Sequence, residues 1–137
     1  FTSIPSWVKR ITVMFNGVST NGTSFPQIQI GSGSVTASGY VATSVVSYTT
    51  SLITTATSGF VVYSNQATAV LTGNITLTLV SGNIWSASGV LGNSSGTATV
   101  SLVAGTVALG GTLDRVRITT VNGTDTFDAG SINILYE

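Results

Sequence analysis

The chain has 137 residues and a mass of 13.9 kDa, and its four basic and four acidic residues give a formal net charge of zero. A neutral chain lacks the positive surface that a phosphate backbone or an anionic membrane attracts, so binding to nucleic acid or to such a membrane is not expected. Cysteine and histidine are absent, which excludes disulfides, thiolate nucleophiles, imidazole bases and the usual zinc ligands.

Most of the sequence has the two-residue period of β-strands. The stretch WVKRITVMF places Ile11, Val13 and Phe15 on one face, and later stretches alternate in the same way. Gly, Ser and Thr interrupt every window, so no helix is predicted. The predicted strands, in chain order, are 7–15, 26–30, 34–46, 59–64, 67–80, 83–91, 97–103, 106–109, 113–121 and 131–136.

Turn signals separate these strands. The pairs Asn16-Gly17 and Asn122-Gly123 are hairpin dipeptides that tolerate positive φ. Eight to ten short strands with such turns predict one all-β domain over 1–137, an antiparallel β-sandwich of the jelly-roll type. The span 31–58 consists mostly of small and hydroxyl residues, and it fits either a long loop or two weakly marked strands. No apolar run approaches the ~20 residues of a spanning helix, so membrane insertion is not expected.

The charges are few and lie only at the two ends of the chain. Charged residues make up 6% of the sequence, against about 25% in typical soluble domains, and the mean hydropathy is +0.49. A surface with so few charges tends to associate with copies of itself. If the first and last strands are neighbours, the charges are expected to form one network, within the sheet or between subunits. Its predicted members are Lys9, Arg10, Asp114, Arg115, Arg117, Asp125, Asp128 and Glu137.

The sequence offers few groups for catalysis or metal binding. Asp125 and Asp128 are close enough in sequence to be considered as a glycosidase pair, but Asp is also a common turn residue, and the turn interpretation is favoured. Asn122 would add a third oxygen ligand for calcium, although the spacing does not match an EF-hand. No catalytic residue, no metal site and no cofactor is therefore predicted.

The aromatic side chains are candidates for stacking on sugar rings, since their faces are apolar and the surrounding hydroxyl groups can form hydrogen bonds. Tyr40 and Tyr48 lie in the Ser/Thr-rich span and are expected to be exposed, and Tyr63 lies in a later predicted strand. These three tyrosines are the predicted ligand-binding residues. Trp7 and Trp85 are instead expected to pack in the core.

Two sequence blocks carry a family resemblance. IPSWVKRITVMFNGVSTNGTS at 4–24 and LDRVRITTVNGTDTFDAGSINILYE at 113–137 resemble a domain at the C-terminus of bacteriophage tail fibres and related tail proteins. The blocks cover about a third of the chain and contain no catalytic motif. The resemblance implies a β-sandwich that forms homotrimers at the end of a fibre and attaches the virion to its host. It also implies a C-terminal fragment of a longer fibre protein, which the first residue, Phe1 rather than Met, indicates independently.

The expected function is receptor binding by a non-enzymatic, homotrimeric tip domain of an extracellular phage tail fibre. Its expected partner is a bacterial surface glycan or an outer-membrane protein, met by the uncharged middle of the chain. The alternative is a purely structural virion module, either a trimerisation cap or a capsid decoration. A glycan depolymerase with Asp125 and Asp128 as its acid pair is the least favoured hypothesis, because no aromatic subsite for a sugar is evident near these residues.

Overall fold

The computed structural model describes residues 1–47, 49–95 and 98–137. These residues form two antiparallel sheets, which confirms the predicted all-β sandwich, and none of their segments is a helix able to span a membrane. The strands in this part of the chain are β1 (Arg10–Thr20), β2 (Pro26–Ser32), β3 (Ser34–Val35), β4 (Val41–Ser47), β5 (Leu52–Ala56), β6 (Phe60–Val61), β7 (Leu71–Ser81), β8 (Ile84–Asn93), β9 (Thr99–Ala108), β10 (Arg115–Thr120) and β11 (Phe127–Tyr136).

The two sheets differ in size. The larger sheet has seven strands in the order β11-β1-β7-β8-β9-β4-β5, and the smaller one has the order β10-β2-β3, with β6 also paired to β2. The first and last strands are hydrogen-bonded neighbours, as the sequence predicted, with Ile11 opposite Tyr136 and Phe15 opposite Ile132. Strands β7, β8 and β9 follow one another as a meander across the middle of the larger sheet.

Some strand boundaries differ from the predicted ones. The Ser/Thr-rich span contains three strands, β3, β4 and β5, rather than one long loop. The predicted strand 34–46 is divided between β3 and β4, and Gly39 in the break has a φ of +80°, which is outside the extended region. The predicted strands 97–103 and 106–109 are one strand, β9, because Gly105 continues the ladder opposite Ala42.

The core lies between the two sheets and follows the strand alternation. On β1, Ile11 and Val13 are fully buried, while Met14 between Val13 and Phe15 is exposed. The smaller sheet contributes Ile28 and Ile30 from β2 to the same cluster. Burial of these side chains removes apolar area from water at about 25 cal/mol per Å², which is the main favourable contribution to folding.

The segment before β1 joins one sheet to the other. Phe1 and Val116 exchange two backbone hydrogen bonds of 2.9 and 3.0 Å at the outer edge of β10. Ile4 donates from its N–H to the Asp114 carbonyl, and the chain then crosses to the start of β1. Trp7 lies in this crossing and is 60% exposed, with its ring 6.0 Å from that of Tyr136. The expectation that Trp7 packs in the core was therefore wrong.

Truncation of an inward-facing side chain tests this arrangement. Leu77 on β7 is fully buried, so Leu77→Ala is expected to lower the free energy of unfolding by about 2–5 kcal/mol, through lost burial and the resulting cavity. Its neighbour Thr78 is exposed, and Thr78→Ala is expected to change stability by less than about 0.5 kcal/mol. Urea unfolding followed by circular dichroism measures both. Equal losses in the two variants would contradict the assignment of faces.

Candidate functional site

A small cavity lies at one end of the larger sheet. It has a volume of about 190 Å³ and is lined by the end of β4, the start of β5, the loop after β6, the end of β8 and the start of β9. Its apolar wall is formed by Val46 and Leu52. The Arg10–Glu137 corner lies at the opposite end of the strands, roughly 25 Å away along the strand direction at about 3.3 Å per residue.

Among the described residues that line this cavity Tyr63 is the aromatic one, and two buried serines hold its backbone. The Tyr63 N–H donates to Ser44 Oγ at 3.0 Å, and the Tyr63 carbonyl accepts from Ser101 Oγ at 2.8 Å. Ser44 and Ser101 are 0% and 1% exposed, so strands β4 and β9 fix the position of this tyrosine. Phe25 lies against the ring, with 4.8 Å between the ring centroids.

Amide side chains supply the polar part of the lining. Asn65 and Gln66 belong to the exposed loop after β6, and Asn93 ends β8. The Asn93 carbonyl oxygen accepts from the N–H groups of Val70 and Ser95, which fixes the orientation of the amide. An aromatic ring beside amide donors and acceptors, without a formal charge, suits a neutral, hydroxyl-rich ligand.

The other two candidate tyrosines have different outcomes. Tyr40 is 1% exposed instead of lying at the surface, so it cannot contact a ligand as expected. Its hydroxyl accepts from the Ile30 N–H at 2.8 Å and lies 3.1–3.2 Å from the carbonyls of Ile30 and Thr36. Burial raises the pKa of Tyr40, which keeps the hydroxyl neutral and able to donate. Tyr48 lies outside the described residues.

The charged residues form separate pairs rather than the predicted single network. Within residues 1–47, 49–95 and 98–137 the ion pairs are Arg10 with Glu137 at 2.5 Å and Arg115 with Asp114 at 2.7 Å. The Arg117 guanidinium donates to Gln29 Oε1 from Nε at 2.8 Å instead of meeting a carboxylate. The side chain of Lys9 is exposed, and the residue contributes a backbone bond, its N–H donating to the Glu137 carbonyl at 2.7 Å.

Strand alternation explains the separation of these charges. Arg10 and Glu137 lie on the outer face of the larger sheet, opposite the inward-facing Ile11. Arg115 and Arg117 flank the buried Val116, so they lie on the outer face of the smaller sheet. Two packed sheets are about 10 Å apart, and the apolar core between them keeps the two groups of charges from meeting.

The remaining carboxylates accept hydrogen bonds from a turn and from a neighbouring strand. Asp125 accepts from Asn122 Nδ2 at 2.7 Å and from the Ser24 N–H at 2.9 Å, which ties the turn after β10 to the turn after β1. Asp128 accepts from Ser19 Oγ on the adjacent strand. Across the part of the chain that the structure describes, no three acidic side chains are grouped in a way that would hold a metal ion.

A second concave surface lies between the edges of the two sheets. It has a volume of about 500 Å³ and begins where the Phe1–Val116 pairing ends, between β10 and β11. Its apolar lining includes Ile118, Phe127 and Ile132. Arg115 and Arg117 on β10 also line this groove, so it combines apolar side chains with two basic residues.

The outer face of the larger sheet carries exposed apolar side chains. Val90 on β8 is 47% exposed and Leu102, directly opposite it on β9, is 46% exposed. Ile53 on the edge strand β5 is 68% exposed. An apolar surface that spans several strands is typical of an interaction site.

The sequence predicted one residue of the cavity as a binding residue and did not indicate the others. Tyr63 was singled out because aromatic rings bind sugars, but Asn65, Gln66 and Asn93 were not, since amide residues are common in turns and carry no local signal of binding. Their segments are brought together in the fold by the hydrogen bonds of Ser44 and Ser101 with Tyr63 and by the pairing of β8 with β9. No family model, no curated protein and no solved structure matches this chain.

Removal of the Tyr40 hydroxyl tests its structural role. Tyr40→Phe leaves the buried Ile30 N–H without its acceptor, so the free energy of unfolding is expected to fall by about 1–3 kcal/mol. Tyr136→Phe, at a residue that is 38% exposed, is the matched control and is expected to change it by less than about 0.5 kcal/mol. Denaturant unfolding compares the two. Unchanged stability in Tyr40→Phe would contradict a buried, hydrogen-bonded hydroxyl.

Acid is expected to destabilise the domain through two carboxylates. The Arg115 side chain lowers the pKa of Asp114, and the hydrogen bond from Asn122 lowers the pKa of Asp125, each from an ordinary value of 3.8. A carboxylate whose folded pKa is lowered stabilises the fold above its unfolded pKa, and this contribution is lost as the pH falls through the folded value. The melting temperature is therefore expected to drop below about pH 4.

The double variant Asp114→Asn, Asp125→Asn isolates this effect. Neutral amides cannot titrate, so the variant is expected to melt below the wild type at pH 6 and to lose less of its melting temperature between pH 6 and pH 2. Differential scanning calorimetry at both pH values measures the change. An identical pH profile in the two proteins would show that other groups control the acid response.

Proposed function

We propose that this domain is a non-enzymatic attachment module of a bacteriophage tail fibre, homotrimeric and extracellular, that binds neutral carbohydrate on the bacterial surface. The observation that carries the carbohydrate part is the cavity in which Tyr63 lies beside Asn65, Gln66 and Asn93. The phage part rests on the resemblance of the blocks at 4–24 and 113–137.

The chemistry of the cavity supports a sugar as the ligand. Sugars bind to proteins by laying an apolar ring face on an aromatic side chain while their hydroxyls bond to planar polar groups. No charged residue occurs between Ile11 and Leu113, so an acidic or basic ligand gains no ion pair there. The volume of about 190 Å³ is below the ~300–1,000 Å³ of drug-sized sites, which favours one small saccharide unit or a chain end.

The position of the cavity also supports attachment. It lies at the end of the strands opposite the corner where β1 begins and β11 ends. Its polar lining comes from strand ends and the loop that contains Asn65 and Gln66, and loops on a rigid scaffold are where binding residues concentrate.

The engagement of all four carboxylates supports a non-enzymatic role over a depolymerase. Asp114 and Glu137 are in ion pairs, Asp125 accepts two hydrogen bonds within the turns, and Asp128 accepts one from Ser19. A glycosidase needs two carboxyl groups that face each other across the substrate, with one of them protonated. Hydrogen bonds and a cation that favour the ionised form oppose that protonation at Asp114 and Asp125.

A structural virion module is the second candidate, and the exposed apolar face of the larger sheet favours it. Such a face is suited to assembly whether or not a receptor is bound. The two functions differ in one measurable property, because only the attachment module binds to host cells as an isolated domain. A surface protein as receptor, instead of a glycan, would give binding that survives enzymatic removal of the surface glycans.

Substitution of Tyr63 tests the proposed function. Tyr63→Ala is expected to weaken binding to a glycan array or to host cells by about tenfold or more, equal to about 1.4 kcal/mol, because the stacking surface is lost. Tyr63→Phe keeps the ring and is expected to retain most of the affinity. Tyr136→Ala removes an exposed tyrosine remote from the cavity and is the control.

Circular dichroism establishes that each variant is folded before binding is compared. If wild type and a folded Tyr63→Ala variant bind glycan or host cells with equal affinity, this cavity is not the receptor site. Absence of binding by the wild-type domain to every glycan and to host cells would favour the structural module. Release of sugar from treated cells would support the depolymerase function instead.

A further inference from the structure

The outer edge of β10 is paired over its first part only. Val116 exchanges two backbone hydrogen bonds with Phe1 on this edge. Ile4, in the same segment as Phe1, donates to the Asp114 carbonyl. Backbone groups along an antiparallel strand point alternately to its two sides, so those of Ile118 point to the same side as those of Val116. In the part of the chain that the structure describes, the Ile118 N–H and C=O have no hydrogen-bond partner on that side.

The groove between β10 and β11 has a second strand edge on its other side. Glu137 exchanges backbone hydrogen bonds with Arg10, so its backbone groups point towards β1. By the same alternation, those of Ile132 point away from β1. Among the described strands, none pairs with β11 on that side. The groove of about 500 Å³ therefore lies between two strand edges that still have hydrogen-bonding capacity.

The lining of the groove indicates what kind of molecule it binds. Ile118 and Ile132 are partly buried against the core, and Phe127 is 37% exposed. An extended polypeptide can bond to a strand edge at every second residue and place its alternate side chains in apolar contact. The segment at Phe1 already pairs with β10 in this way. A fatty acid would cover the apolar lining but leave the backbone groups of Ile118 without partners.

Two arginines, Arg115 and Arg117, line the groove, and none of its described lining residues is a carboxylate. Arg115 is in an ion pair with Asp114. Arg117 is exposed, and its guanidinium donates to the neutral Gln29 Oε1. A side chain directly opposite Arg117 on an added strand would lie on the same face as the guanidinium, because directly opposed residues of neighbouring strands share a face. Charge complementarity therefore favours an acidic residue at that position.

We propose that the groove binds an extended acidic segment of another protein, which adds to β10 as a strand next to Phe1. The segment has a carboxylate opposite Arg117 and an apolar side chain opposite Ile118, facing the groove. The four carboxylates of this chain are engaged within its own fold, so a second copy has none to offer. The groove and the cavity of Tyr63 share no described lining residue, so this proposal does not rest on carbohydrate binding.

A blocked peptide with the matching pattern is the probe. Acetyl-Thr-Val-Thr-Val-Glu-amide, laid antiparallel to β10, places its glutamate opposite Arg117 and its second valine opposite Ile118. NMR titration of the isotope-labelled domain measures the dissociation constant and shows which backbone amides shift. Shifts are expected at Ile118 and, across the groove, at Ile132, while the amide of Tyr63 is expected to stay unchanged.

Methylation of the peptide backbone separates strand addition from apolar contact. The second valine would donate its N–H to the Ile118 carbonyl, so N-methylation of this valine is expected to weaken binding by about tenfold or more. The N–H of the preceding threonine points away from β10. A peptide methylated at that threonine is the matched control and is expected to keep most of its affinity.

The charge is tested by Arg117→Gln in the protein and by glutamine in place of glutamate in the peptide. Each change alone is expected to weaken binding about two- to fivefold, the effect of an exposed ion pair. Both changes together are expected to cost no more than one of them, because the pair is already lost. Lys9→Gln removes one positive charge outside the groove and is expected to leave the affinity unchanged. Should Arg117→Gln misfold, the peptide pair measured on the wild type tests the charge.

Four results would overturn the proposal. The first two are absence of binding by the glutamate peptide at millimolar concentration, and binding that leaves the amides of Ile118 and Ile132 unshifted. The third is equal affinity for the two methylated peptides, which would show apolar contact without strand pairing. The fourth is equal affinity of the wild type for the glutamate and glutamine peptides, which would contradict an acidic partner.

Discussion

The pairing of β1 with β11 is the contact on which the rest of the structure depends. It joins residues more than a hundred positions apart and makes the first and last strands neighbours at one edge of the larger sheet. With that edge in place, the segment from Phe1 to Lys9 crosses to β10 and connects the two sheets. The turns after β1 and β10 then lie close enough for Asp125 to link them.

The arrangement of the two sheets determines which face of the larger sheet is buried and which is exposed. The smaller sheet covers the inner face of the larger one, so that the inward alternate residues of β1, β7 and β8 are buried. Among the described residues no layer covers the outer face, and apart from Arg10 and Glu137 near its β1–β11 edge it consists mostly of hydroxyl and aliphatic side chains. This accounts for a composition with 6% charged residues: the chain needs neither ionic contacts in its core nor a charged outer face to form its sheets.

The period of two was enough to predict the fold class because strands such as β1, β4 and β9 bury alternate residues against one core. The same pattern could not predict Tyr40, whose hydroxyl is satisfied by backbone groups of β2 that are close only after the sheets pack. The charges were predicted to form one network because the first and last strands were expected to be neighbours. In the structure the alternation of side chains places Arg10 and Arg115 on the outer faces of different sheets. In the cavity, Tyr63 could be predicted because aromatic residues often bind sugars. Asn93 could not, because it lies at the cavity only through the pairing of β8 with β9.

The geometry of the β1–β11 pair has a mechanical consequence. Arg10 and Glu137 lie opposite each other, so a force that separates these two residues acts across the strands and breaks the ladder one hydrogen bond at a time. A force between this corner and the loop end that holds Tyr63 acts along the strands, and many hydrogen bonds share it at once. The domain is thus built to bear tension from its far loops better than tension between its first and last strands.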